Sequence, residues 1–172
     1  MRALIIGRFQ PFHKGHLYMV SEITNGFDEL IVGIGGAQYS HTFENPFTAG
    51  ERIFMIARAL QHFVDTRGVK LYITPIEDVN RNSIWVSHIE SMVPPFDMIY
   101  TNNPLSKRLF EEKGYQVRSM PLYNRELYSG TRIRELMVNE GEWKQLVPKE
   151  VVEVIEEVCG VKRLKEIVMD DK

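Results

Sequence analysis

The stretch Ala3-Leu4-Ile5-Ile6-Gly7-Arg8-Phe9-Gln10-Pro11-Phe12-His13-Lys14-Gly15-His16 passes from four consecutive apolar residues into a polar turn with two histidines, a lysine and a glycine. Ala3 to Ile6 has the pattern of a strand buried on both faces. Beyond the turn, Leu17, Val20 and Ile23 recur at the spacing of one helix face. The stretch therefore predicts a strand that hands over to a helix, and in parallel α/β sheets ligands collect at that edge. A helix start carries unpartnered N–H groups and about half a positive charge, so it suits an anion. His13 and His16 can both face the space above the strand, Arg8 and Lys14 add charge, and Gly15 allows the backbone to come close.

The pattern repeats outward from this stretch. Leu30 to Gly36, Val69 to Thr74, Asp97 to Tyr100 and Tyr115 to Met120 read as four further strands. Between them lie helical stretches at 52–63, 84–93 and 104–113, the first opened by the capping-box spacing Thr48-Ala49-Gly50-Glu51. The segment 37–47 is polar and reads as a loop on the substrate side. After the loop 122–128 the chain turns helical from about 131 to 168, with Val151, Val154, Ile155 and Val158 as a core-facing stripe and a frayed tail at 169–172. Five strands alternating with helices predict a doubly wound, five-stranded parallel sheet in a single domain, 1–172.

Composition narrows the function. The 172 residues include 21 basic and 23 acidic side chains, a net charge of −2, which gives no broad basic field for nucleic acid. Hydrophobic residues make up 44%, yet no run approaches the ~20 apolar residues of a membrane span, so no membrane partner is expected. The uncharged run before Arg8 is too short for a signal peptide's apolar region, and Cys159 is the only cysteine; together these fit a cytoplasmic protein. No Ser–His–Asp spacing, paired carboxylate motif or metal-ligand pattern stands out. The adjacent pair Asp170-Asp171 lies in the expected tail, and no protein metal ligand is assigned.

Gly7 to His16 resembles the His-x-Gly-His signature of the nucleotidylyltransferase superfamily, and Ser129-Gly130-Thr131-Arg132-Ile133-Arg134 resembles its second signature, Ser-x-Thr-x-x-Arg. Pro46 to Arg52 and Asn82-Ser83-Ile84-Trp85-Val86 are similar to segments of the archaeal-type nicotinamide mononucleotide adenylyltransferases. The resemblance spans about residues 3–160. It implies a Rossmann-like sheet of order 3-2-1-4-5 and a switch point between the first and fourth strands. It also implies transfer of AMP from ATP to nicotinamide mononucleotide, giving NAD and pyrophosphate, and a homo-oligomer.

The attacking phosphate of such a reaction is already ionised, so positioning and charge stabilisation carry the catalysis. On this reading His16 stabilises charge on the α-phosphate, His13 shares that role, and Arg134 neutralises the departing pyrophosphate. Gly7, Arg8, Lys14 and Gly15 at the first turn bind phosphate with Ser129, Thr131 and Arg132 at the second helix start. Histidines beside phosphates are expected to protonate more readily than usual. Mg²⁺ is expected, held mainly by substrate phosphates.

Trp85 has two readings from sequence alone: a core residue in an apolar run, or a platform for a flat ring. The resemblance places it with Asn82 against the nicotinamide of the mononucleotide; Asp78 reads as a ribose contact or as the end of a turn, and Phe9, with Gln10, Pro11 and Phe12, as the floor of that site. Nicotinic acid mononucleotide and phosphopantetheine are alternative acceptors, and a nucleotide-sensing module without catalysis is the alternative outside the class. A tRNA synthetase fragment lacks the basic surface it would need.

Overall fold

In the first strand, β1 (Arg2–Gly7), side chains alternate between two apolar layers: Ala3 and Ile5 enter one and Leu4 the other, and all three are fully buried. The computed structural model to which this strand belongs describes residues 1–170. With β2 (Glu29–Ile34), β3 (Lys70–Pro75), β4 (Met98–Tyr100) and β5 (Gln116–Arg118), β1 forms one parallel sheet in the order β3-β2-β1-β4-β5. The expected strand order is thus the observed one.

The helices divide between the two faces as that order requires. The layer that takes Ala3, Ile5, Val32 and Tyr100 is covered by α1 (Lys14–Ile23), α2 (Ala49–Arg67), α5 (Gly130–Val138), α6 (Lys149–Glu157) and α7 (Gly160–Asp170). The layer that takes Leu4, Ile31 and Ile99 is covered by α3 (Asn82–Met92) and α4 (Pro104–Glu112). The chain changes faces between β3 and β4, which opens a crevice past the C-terminal ends of β1 and β4. The turn after β1 lies in that crevice.

Several boundaries differ from the sequence expectation. The helix after the first turn starts at Lys14 rather than near Leu17, because His13 caps it. The third starts at Asn82 rather than Ile84. β2 stops at Ile34, since Gly35 and Gly36 turn away from the sheet with Gly36 at φ +58°. β5 has three residues rather than the six expected: it pairs only with β4, itself three residues long. The Thr48–Glu51 capping box is present in both directions. Val151, Val154 and Ile155 are buried and Val158 packs beside them, as the stripe predicts. Of the expected frayed tail, Met169 and Asp170 belong to the last helix, and 171–172 lie outside the described residues.

Candidate active site

The two histidines of the first turn cap the helix that follows them. The His16 N–H donates to His13 Nδ1 at 3.3 Å, and the His13 N–H donates to His16 Nδ1 at 3.2 Å. This is a capping box in which imidazoles replace the hydroxyl and carboxylate. Both Nδ1 atoms act as acceptors, so a neutral ring carries its proton on Nε2, the nitrogen left for a ligand. The rings stack at 3.6 Å between centroids, with the rings of Phe9 and Phe12 against His16. Burial lowers His13 to about 4; burial and then the neighbouring His13 push His16 well below its ordinary value. Both rings are therefore neutral near pH 7 in this packing, and the expectation of easier protonation concerns the same rings beside phosphates. Dehydration by the packed rings disfavours the charged imidazolium.

A cleft of about 740 Å³ opens above these rings, lined by Arg8, His13 and His16 at its centre and by Trp85 and Asp78. The loop after β4 contributes Thr101 to Asn103, and the segment Met120 to Tyr123 and Ser129 also line it. A second hollow of about 540 Å³ shares Arg8, His13 and His16 and adds Thr131 and Arg134. The histidine pair therefore belongs to both. Arg134 is 7% exposed; its Nη1 donates to the Gln10 carbonyl at 2.8 Å and its Nη2 to the Thr131 hydroxyl at 3.2 Å. Its buried Nε has no partner among the described residues, a donor available to an anion. Burial lowers its pKa, with Glu44 and Glu135 opposing. Ser129 caps the late helix by accepting from the Arg132 N–H at 3.2 Å.

The mononucleotide set divides. Trp85 lines the large cleft and also meets the Phe110 ring edge-on at 5.6 Å, so platform and packing coexist in one side chain. Asp78 lines the cleft while its carboxylate accepts from Arg8 Nη2 at 2.9 Å and from the Gly36 N–H at 3.1 Å. The carboxylates on the two linings are Asp78 and Glu44, and among the described residues no group of three or more His, Cys, Asp or Glu side chains comes together. No helix among them is long and apolar enough to cross a membrane.

The sequence matches the cytidylyltransferase-like family over residues 4–136. It is 53% identical to the nicotinamide-nucleotide adenylyltransferase of Methanococcus aeolicus, over 99% of this chain and 97% of that one. It is 54% identical to the protein of the same name from Thermoplasma volcanium, over 99% and 94%. This chain belongs to the nicotinamide-nucleotide adenylyltransferase family. In fold it is similar to a bifunctional NMN adenylyltransferase/ADP ribose pyrophosphatase from Francisella tularensis, with a TM-score of 0.75 and 21% identity. That alignment covers 96% of this chain but 52% of the Francisella chain. A second structure of that protein, complexed with AMP and a manganese ion, gives a TM-score of 0.74 at 20% identity.

Six further candidate residues stand at different places relative to the two hollows. Lys14 and Arg132 are exposed and line neither hollow, because their positions on the helix starts turn them to solvent. Asn82 is likewise exposed and outside both linings. Phe9 is 3% exposed and supports His16 on the Arg134 side, away from Trp85. Gly15 lines the cleft, but its space is claimed by the protein: a Cβ would sit 2.9 Å from Tyr128 Cβ and 3.1 Å from the His13 ring. Gly7 lines the cleft with the Phe9 ring lying over it.

Sequence reasoning placed Gln10 on the floor of the site without its partner and did not single out Tyr128. The Gln10 amide, 4% exposed, donates to the Phe47 carbonyl and accepts from the Phe47 N–H, both at 2.9 Å. Tyr128 stacks on His13 and on Tyr123, which stacks on Tyr18. An amide and an aromatic run beside two signatures were the available signals, and neither names its partner.

Proposed function

We propose that the protein joins ATP and nicotinamide mononucleotide, forming NAD and releasing pyrophosphate. The observation that carries this reading is the stacked pair of neutral histidines, each left with an Nε2–H donor, where the two hollows meet. A 5′-phosphate oxygen of the mononucleotide attacks the α-phosphorus of ATP. As that bond forms, the bond from α-phosphorus to the bridging oxygen breaks, and its electron pair leaves with pyrophosphate. The attacking oxygen is ionised near neutral pH and requires no protein base. His16 and His13 donate hydrogen bonds to the α-phosphate oxygens as charge builds there, with little reorganisation because their capping bonds already hold the rings. Arg134 and Thr131 take the departing pyrophosphate in the smaller hollow, with the Ser129-capped helix start behind them. Arg8, common to both hollows, holds the acceptor's phosphate, and Trp85 stacks the pyridine ring.

The lining carboxylates, Asp78 and Glu44, are too few to build a metal cage, so a divalent ion, Mg²⁺ on this reading, would be held mainly by the substrate phosphates and would offset part of their charge. The protein acts as one nucleotidylyltransferase domain on small nucleotide substrates, without nucleic acid.

The test offers the purified protein ATP and Mg²⁺ with nicotinamide mononucleotide, its acid analogue or phosphopantetheine. NAD and pyrophosphate are expected from the first. Pyrophosphate from phosphopantetheine alone would discard the Trp85 acceptor site, and silence with all three from a protein that binds ATP would leave a nucleotide-sensing module. In the active protein, His16→Ala should lower kcat by 10²–10³, the ~2.7–4 kcal/mol typical of one preorganised donor, while ATP affinity changes little.

A further inference from the structure

Beneath the cleft floor lies an arginine that the reaction does not use. Arg52, on the first turn of α2, is the largest of the fully buried side chains, with 0% exposure. Its guanidinium donates to the carbonyls of Arg8 at 2.9 Å, Gly35 at 2.9 Å and Gly36 at 3.1 Å, and its Nε to that of Thr48 at 3.3 Å. These carbonyls come from three separate segments. No carboxylate pairs with Arg52 among the described residues, and burial followed by the adjacent Arg8 lowers its pKa to about 10. An unpaired buried cation is costly, and folding retains it only where a planar fork of donors does something a simpler side chain cannot.

Its arrangement with Arg8 shows what that is. The Gly36 residue is held from both sides: its carbonyl accepts from Arg52, and its N–H donates to the Asp78 carboxylate that also accepts from Arg8. The Arg8 guanidinium lies directly on Gly36, where a Cβ would come within 2.6 Å of Nη1. Asn45 Oδ1 accepts from Arg8 Nη1 at 3.1 Å on the far side. So the Gly35-Gly36 turn is sandwiched, with Arg8 on the cleft side and Arg52 on the core side.

We propose that Arg52 is a positioning residue for acceptor binding: it fixes the backbone of Arg8 and the glycine turn on which the Arg8 guanidinium rests. The proposal builds on the assignment of Arg8 to the acceptor's phosphate. Lysine keeps the charge but has no fork, so it cannot reach all four carbonyls.

The test is a double-mutant cycle of Arg8→Ala and Arg52→Lys, read by steady-state kinetics with nicotinamide mononucleotide and ATP varied separately. Wild-type NAD formation checks the underlying reading by itself. The proposal expects Arg52→Lys to raise KM for the mononucleotide at least tenfold, with KM for ATP within threefold of wild type. It also expects the double variant to be no worse than Arg8→Ala alone, because Arg52 acts through Arg8. Additive losses, or equal rises in both KM values, would overturn it and make Arg52 a general structural residue. Should Arg52→Lys fail to fold, Gly36→Ala displaces the Arg8 guanidinium directly; there too the mononucleotide KM rises selectively and the cycle with Arg8→Ala is non-additive. A Gly36→Ala enzyme that unfolds cooperatively and shows an unchanged mononucleotide KM would refute the proposal.

Discussion

His13 and His16 bind each other's backbone N–H through Nδ1, so one hydrogen-bond pair both starts a helix and sets two tautomers. The cost appears as pH dependence. His13 titrates at about 4 in the folded protein and near 6.5 when unfolded. Between those values the unfolded chain holds more protons, so stability falls as pH drops through that window, by about 3 kcal/mol for this group. His13→Asn removes the titration and keeps a good capping side chain. Its midpoint in urea should therefore fall less between pH 7 and pH 4 than that of the wild type; parallel curves would mean that His13 protonates normally in the fold. A second substitution addresses the acceptor: Trp85→Ala should weaken mononucleotide binding by ~1–3 kcal/mol in calorimetry, with ATP affinity nearly unchanged. Equal loss of both would place Trp85 in the structure alone. The histidines and Arg134 were singled out because each sits in a short signature-like pattern, whereas Trp85 kept two readings until the resemblance was added. The partners of Gln10 and Arg52 were not legible, because Phe47 for one and Arg8 for the other lie 37 and 44 residues away and take part through backbone atoms with no residue identity to read.

Element starts carry much of the site's chemistry, and their legibility followed the chemistry of the caps. Thr48 with Glu51 has the hydroxyl and carboxylate that the capping rule names, and the start of that helix was placed correctly, although it runs to Arg67 rather than Phe63. The box at the first turn is made of imidazoles, so that helix began three residues earlier than its apolar spacing suggested. β5 was overextended for another reason: beyond Arg118 the backbone leaves the sheet, and Met120 exchanges two hydrogen bonds with the Asn102 side chain. That exchange brings the segment 120–123 onto the cleft wall. At the late helix, Ser129 is both cap and cleft residue. Ser129→Ala should cost about 1 kcal/mol in urea unfolding and raise KM for ATP several-fold, since the loosened start presents its N–H groups less well to phosphate. An unchanged KM for ATP alongside the stability loss would confine Ser129 to capping.

Across the whole molecule, the sheet order was readable from the resemblance, but the brace that ties the last helix to the cleft was not. Arg163 on α7 donates to both Glu51 carboxylate oxygens at 2.7 Å and to the Pro46 carbonyl at 3.0 Å, across 112 and 117 residues. It thereby anchors the segment that carries Glu44 and Asn45 to the cleft edge, and Glu51 serves that anchor and the Thr48 cap together. Burial works to raise the Glu51 carboxyl, but the Arg163 hydrogen bonds and the Thr48 N–H outweigh it and hold the group below its ordinary 4.5. A depressed carboxyl stabilises the fold above its unfolded pKa and stops doing so as pH falls through the folded value. Arg163→Met keeps the apolar stem and removes the partner, leaving a half-buried carboxylate at a cost of about 2 kcal/mol near pH 7. The stability gap between wild type and Arg163→Met should therefore be full at pH 7 and narrow as pH falls through the lowered folded value of Glu51, where its carboxylate protonates and the ion pair is lost. Urea unfolding at pH 7 and pH 3 measures it directly, and a gap of equal size at both would show that Arg163 contributes through its Pro46 contact and packing rather than through the ion pair.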